Sequence, residues 1–142
     1  MKILLAIDHS EYSEAAARAL IAQVRTDGTE VAVLHVIELS LADFESRGTF
    51  ESSRRSRLKN AHELVGHFAA MLSDSGYTAK PVVEEGDAKE AILNFAERWK
   101  PGVIFLGSHG RRAFKRLTLG SVTEAVARHA TCSVEIVRAA RA

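Results

Sequence analysis

Residues 107–122 read GSHGRRAFKRLTLGSV and hold three of the chain's nine glycines, Gly107, Gly110 and Gly120. Four cations, Arg111, Arg112, Lys115 and Arg116, lie between the last two. Glycine lets main chain approach another group with no Cβ in between. A run of amides in a tight turn, or at the start of a helix, concentrates partial positive charge. A G-x-x-G turn leaving a strand, followed by Gly120-Ser121-Val122 opening a helix, therefore suits an anion such as a phosphate. The Ser121 hydroxyl can cap that helix or donate to a phosphate oxygen, and Arg111 and Arg112 can screen the remaining charge. The residues between the glycine sites are expected to fold back as a short helical lobe. The same spacing also serves plain turn geometry, with Ser121 as no more than a cap. It is neither the G-x-x-x-x-G-K-[ST] loop nor the G-x-G-x-x-G fingerprint.

A second group of reactive types follows the first apolar run, at Asp8-His9-Ser10. Asp8 can contact a ribose hydroxyl, join an Mg²⁺ beside phosphates, or cap the following helix. A nucleophilic triad among Asp8, His9, Ser10 and Ser13 is rejected, because neighbours on one turn do not converge as nucleophile, base and orienter must. His62 and His67, five apart on a helix, do not share a face for a metal. His35 lies inside an apolar run and reads as a core or pocket histidine. His129 and Cys132 read as packing residues, as do Phe95 and Trp99 at helical spacing.

The charge distribution supports attention to the glycine segment. Net charge is +1 over 142 residues, which gives no general pull toward nucleic acid. Residues 1–104 are net −4, whereas 105–142 are net +5. The apolar run ILLAI is too short for a secretory leader, and no stretch is long enough to span a membrane. One cysteine allows no intrachain disulfide and fits a reducing compartment. The expectation is a cytoplasmic protein whose 142 residues form one domain.

Alternating elements must position these groups. KILLAID (2–8) and EVAVLHV (30–36) are apolar runs suited to strands buried on both faces. Ser10 is placed to cap a helix carrying Tyr12, Ala15, Ala16, Ala19, Leu20 and Val24. Residues 37–53 show no clear period. An amphipathic helix from about Arg54 to Ser75 presents Leu58, Ala61, Val65, Phe68 and Leu72, and Gly76 ends it. TAKPVVEE (78–85) is a strand whose Pro81 assigns it to a sheet edge. Asp87 and Glu90 form a capping box for a helix carrying Ala88, Ile92, Phe95, Ala96 and Trp99. VIFLG (103–107) is a fourth strand. A short helix from Ser121 places Val122, Ala125 and Val126 inward, and SVEIV (133–137) is a fifth strand whose Glu135 suits an edge. The expected fold is α/β: a doubly wound, five-stranded parallel sheet with helices on both faces. With Pro81 and Glu135 at the edges, the order 3-2-1-4-5 sets strands one and four side by side. Ligands bind outside the carboxyl ends of strands at such a reversal.

Across the whole chain the sequence resembles the universal stress proteins. Gly107, Gly110, Gly120 and Ser121 fit the G-x2-G-x9-G-[ST] signature of that family's ATP-binding branch without insertion. ILLAIDHSEYS is similar to its first strand and turn, VAVLHVIE to its second strand, and EEGDAKEAILNFA to the segment entering the third helix. The resemblance implies a flavodoxin-like nucleotide-binding domain of the stress response that binds ATP, with Mg²⁺, and pairs as a homodimer through the last strand (133–137). Carried over by position, Ala6 and Asp8 line the adenine and ribose side, and Val36 meets adenine through its backbone. Leu106, Gly107, Ser108, His109, Gly110, Arg111 and Arg112 wrap ribose and phosphates. Gly120, Ser121 and Val122 hold the phosphates. Ser133 and Glu135 depart from the family's proline and apolar residue at the last strand, and Pro101-Gly102 replaces an acidic entry to the fourth. A regulatory module is expected, with a slow ATPase or nucleotide transferase, or a nucleotide-free interaction domain, as alternatives. No carboxylate lies in the phosphate segment to serve fast hydrolysis; the nearest acids are Glu124 and Asp8.

Overall fold

The computed structural model describes residues 1–38, 47–110 and 118–139. Arg111, Arg112, Lys115 and Arg116, with the expected helical lobe around them, lie outside the described residues.

The elements run β1 (Lys2–Ala6), α1 (Glu11–Gln23), β2 (Glu30–Ile37), α2 (Arg47–Asp74), β3 (Thr78–Glu85), α3 (Ala88–Trp99), β4 (Val103–Gly107), α4 (Ser121–His129) and β5 (Ser133–Val137). All pairings are parallel and the strand order is β3-β2-β1-β4-β5. Pro81 and Glu135 lie on the two edge strands, as their chemistry requires.

The side-chain alternation of a strand divides the core into two layers. Ile3, Leu5 and Ile7 pack with Ala16, Ala17 and Leu20 of α1 and with Val65, Phe68 and Leu72 of α2. Leu4 and Ala6 face the other way, meeting Ile92 and Phe95 of α3 and Val126 of α4. β1 is thus buried on both sides, which its unbroken apolar run anticipates. Each fully buried Leu or Ile there stabilises the fold by about 1.5–3 kcal/mol.

Two helix ends differ from expectation. α2 begins at Arg47 rather than near Arg54. The added turns contain Gly48, Thr49 and two serines, whose weak helix propensity hid them. Ser10 does occupy the N-cap of α1, but its side chain makes no cap bond to that helix. Elsewhere the stop signals hold: Gly76 (φ 103°) follows α2, and Lys100 takes a left-handed conformation (φ 56°) before Pro101. Tyr77, which the sequence pattern did not single out, donates from its hydroxyl to the Leu20 and Val24 carbonyls and ties the end of α1 to the start of β3. Among the described residues, no helix is long and apolar enough to cross a membrane.

Candidate functional site

Because β1 and β4 are neighbours whose crossover helices leave on opposite faces, their C-terminal ends border a crevice. A cavity of about 700 Å³ opens there, within the range of small-molecule sites. Its lining comes from both layers. Ala6, Leu34, Val36, Ile92 and Leu106 form an apolar wall on the α3/α4 side. Ile7 and the side chains alternating with that wall, such as His35, border it on the α1/α2 side.

One end of the cavity is built by the turn after β1. Asp8 Oδ1 accepts from the Ser10 amide (2.9 Å), the Ser10 hydroxyl (2.5 Å) and the Ser13 hydroxyl (3.0 Å). Ser13 Oγ in turn accepts from the Asp8 amide at 2.7 Å. These bonds fix the carboxylate, and they explain why the Ser10 hydroxyl does not cap α1. Of the sequence readings of Asp8, capping a helix is replaced by bracing its own turn. Oδ2 lies 3.0 Å from the point where a Cβ on Gly110 would stand, so Gly110 is what lets the second turn come this near.

The other end is built by the β4 exit and the start of α4. Gly107 is required by packing as well as lining the cavity: a Cβ there would stand 2.4 Å from Tyr12 Cβ and 3.0 Å from the Tyr12 carbonyl. Thr123 Oγ1 donates to the Gly107 carbonyl at 2.7 Å, tying α4 to the strand end. Gly120 is the N-cap of α4, and a Cβ on it would meet His109 Cα at 3.2 Å. Its amide donates to the Ser108 carbonyl at 2.9 Å. The glycines therefore bring two turns against each other. Being glycine, the N-cap offers no side chain to the first amides of α4, at Ser121 and Val122, which lack acceptors within the helix. Ser121 opens the helix as expected, and the N-cap is Gly120, so of the two roles for the Ser121 hydroxyl capping is not the one taken.

Of the sequence-singled residues, Ala6, Asp8, Val36, Leu106, Gly107, His109, Gly110, Gly120, Ser121 and Val122 line this one cavity. Ser108 sits behind it, buried, with its hydroxyl 3.0 Å from His109 Nδ1. The His109 ring is also turned inward, its Nε2 bonded to the Thr118 carbonyl.

Sequence reading missed several lining residues. Arg57 and Asn60 come from α2, and His9, Glu38 and Ala88 complete the rim. Arg57 donates to the Glu38 carbonyl at 3.3 Å, and Glu38 Oε1 accepts from the Ala88 amide at 3.2 Å. A signal existed: a crossover helix runs from the carboxyl edge of the sheet, so polar residues in its N-terminal half can face the crevice.

His35 is settled by its bond. Its Nδ1 lies 2.8 Å from the Ile7 carbonyl, which can only accept, so Nδ1 carries a proton. Burial pushes the imidazole pKa below its usual value; His9 adds to this, while the Ile7 carbonyl and Asp8 oppose it. The His9 and His35 rings meet edge to face at 5.5 Å. Cys132 is held as a thiol, its pKa raised by burial, in keeping with a packing role.

The model of the universal stress protein family matches residues 1–138. Universal stress protein MJ0577 of Methanocaldococcus jannaschii is 30% identical, over 96% of this chain and 94% of its own. The universal stress protein of the QAH/OAS sulfhydrylase 3′ region of Thermus aquaticus is 31% identical, over 96% and 97%. The solved structure of MJ0577 matches with a TM-score of 0.85 and 31% identity, covering 99% of this chain and 97% of that one. A universal stress family protein of Arabidopsis thaliana, solved with AMP bound, shares the fold at a TM-score of 0.73 and 20% identity, covering 99% and 92%.

Proposed function

This chain belongs to the universal stress protein family, and we propose that it is a regulatory module that holds ATP in the cavity at the carboxyl ends of β1 and β4. The observation that carries the reading is the start of α4, which reaches the cavity beside Gly110 with a glycine where a capping side chain would stand. First-turn amides and the positive end of the helix dipole favour a phosphate at such a place. The apolar wall of Ala6, Leu34, Val36, Ile92 and Leu106 fits a base, with Val36 meeting adenine through its backbone. Asp8 stands between the two ends and suits ribose. Its Oδ1 accepts three bonds that hold the carboxylate in place at the cavity.

In this reading Leu106 and the main chain of Gly107, Ser108, His109 and Gly110 border ribose and phosphates, with Arg111 and Arg112 following. Gly120, Ser121 and Val122 hold the phosphate tail. The AMP found in the Arabidopsis relative is in keeping with an adenine nucleotide in this fold. Binding is favoured over turnover because residues 107–122 hold no carboxylate, and Glu124, in the first turn of α4, is paired with Arg128 at 3.0 Å on its own helix. The module acts as a homodimer through β5, whose outer edge has no strand beside it among the described residues.

Denaturing freshly purified protein and identifying the released nucleotide by mass spectrometry tests the reading. An adenine nucleotide is expected. Its absence, together with no calorimetric heat for ATP, ADP or AMP, would refute it. Sedimentation as a monomer would remove the homodimer, and ADP formation near one turnover per second would replace regulation by catalysis.

A further inference from the structure

We propose that His109 is a positioning residue that clamps the two glycine turns into one anion-facing surface and gives the ligand none of its ring nitrogens. His109 is buried, at 7% exposure, although its turn borders the cavity. Its Nε2 meets the Thr118 carbonyl, an obligate acceptor, so this nitrogen carries a proton. Its Nδ1 lies 3.0 Å from the hydroxyl of Ser108, which is 1% exposed. In the neutral ring Nδ1 accepts that hydroxyl proton. Both nitrogens are thus committed to protein atoms, one on each side of residues 111–117.

The surroundings fit a clamp. The ring lies 5.2 Å from that of Tyr12, tilted by 50°. Tyr12 is also the residue that crowds Gly107, so α1 backs the whole turn. Gly120 approaches His109 Cα closely enough that a Cβ would stand at 3.2 Å, and its amide donates to the Ser108 carbonyl. Bonds from residues 108 and 109 therefore reach 118 and 120, and fix where the first amides of α4 point. The neighbouring histidines behave differently: His9 is exposed, and His35 is bonded to the carbonyl of Ile7, just past β1. The family resemblance implies that His109 wraps ribose and phosphates. The geometry makes it the brace for the groups that do the contacting.

The inference rests on the nucleotide reading for its affinity arm only. His109→Ala removes both bonds and leaves the Thr118 carbonyl and Ser108 hydroxyl without this partner; ATP affinity by calorimetry is expected to fall about tenfold or more. His109→Gln, whose amide can donate to one group and accept from another, is expected to recover most of that loss. Full affinity in the alanine variant, or no recovery in the glutamine variant, would overturn the clamp. Nitrogen-15 NMR of the wild-type protein without nucleotide gives an independent arm. The clamp requires a protonated, hydrogen-bonded Nε2 on His109 and slow exchange of the Gly120 amide. An unprotonated Nε2, or rapid exchange at Gly120, would refute it even in a protein that binds no ATP; the expected signatures in such a protein would uphold the clamp and sink only the nucleotide reading.

Discussion

Helices α3 and α4 both start at the carboxyl edge of the sheet, on the same face, and they differ in what meets their first amides. At α3, Asp87 occupies the N-cap and its carboxylate accepts from the Glu90 amide at 3.0 Å. At α4 the same position is Gly120, which has nothing to offer. Each helix carries roughly half a positive charge at this end. In α3 a built-in carboxylate answers it. In α4 no capping side chain answers it. On the proposed reading, the anion site is made as much by withholding a cap as by supplying glycines. α1 is an intermediate case, its start flanked by Glu11 and Glu14 and by the braced carboxylate of Asp8.

The sharpest way to break this contrast is to make α4 resemble α3. Gly120→Asp should weaken ATP binding by about a hundredfold or more, by placing a carboxylate where the phosphate belongs. Gly120→Ala is the steric control, since its Cβ only presses on His109 Cα at 3.2 Å, and it should cost less. Equal losses in calorimetry would assign the effect to crowding and end the contrast. Gly107→Ala probes the neighbouring glycine, whose role is packing. With its Cβ 2.4 Å from Tyr12 Cβ, it should destabilise the fold by about 1–3 kcal/mol in urea denaturation. An unchanged midpoint would contradict the close approach of β4 and α1.

At α3 the reverse experiment applies. Asp87→Ala should cost about 1 kcal/mol of stability and leave ATP affinity unchanged; a parallel loss of affinity would show that the two helix starts are not separate. The smallest effect is expected at His35. Burial lowers its pKa in the folded protein, so the unfolded chain binds the proton more readily. Stability is therefore full above about pH 6.5 and declines as pH falls below it toward the lowered folded value. His35→Gln should flatten that decline between pH 7 and 5. A wild-type and variant difference independent of pH would rule out this origin.

Much of the fold was legible because its signals are local. The apolar runs at 2–8 and 30–36 announce strands covered on both faces, and Pro81 and Glu135 mark edges. The capping residue Asp87 and the stop at Gly76 act within a few residues of themselves. The first turns of α2 escaped notice because nothing apolar recurs in residues 47–53. In the candidate site, residue types were legible but several roles were not. The packing demand at Gly107 is visible only when Tyr12 is seen against it, and Arg57 cannot be joined to Glu38 from the sequence.

By itself the sequence determined the order and kind of the elements, the family, and which glycines and acids gather at one edge. These depend on patterns along the chain and on the right-handed sense of parallel crossovers. Only the tertiary structure decided what each group touches. Asp8 braces its own turn, Gly107 yields to α1, and the His109 ring spans from Ser108 to Thr118. The physical reason is range: strand and helix signals act over a few residues, whereas hydrogen bonds and steric contacts are set by distances in space that the chain brings together only on folding.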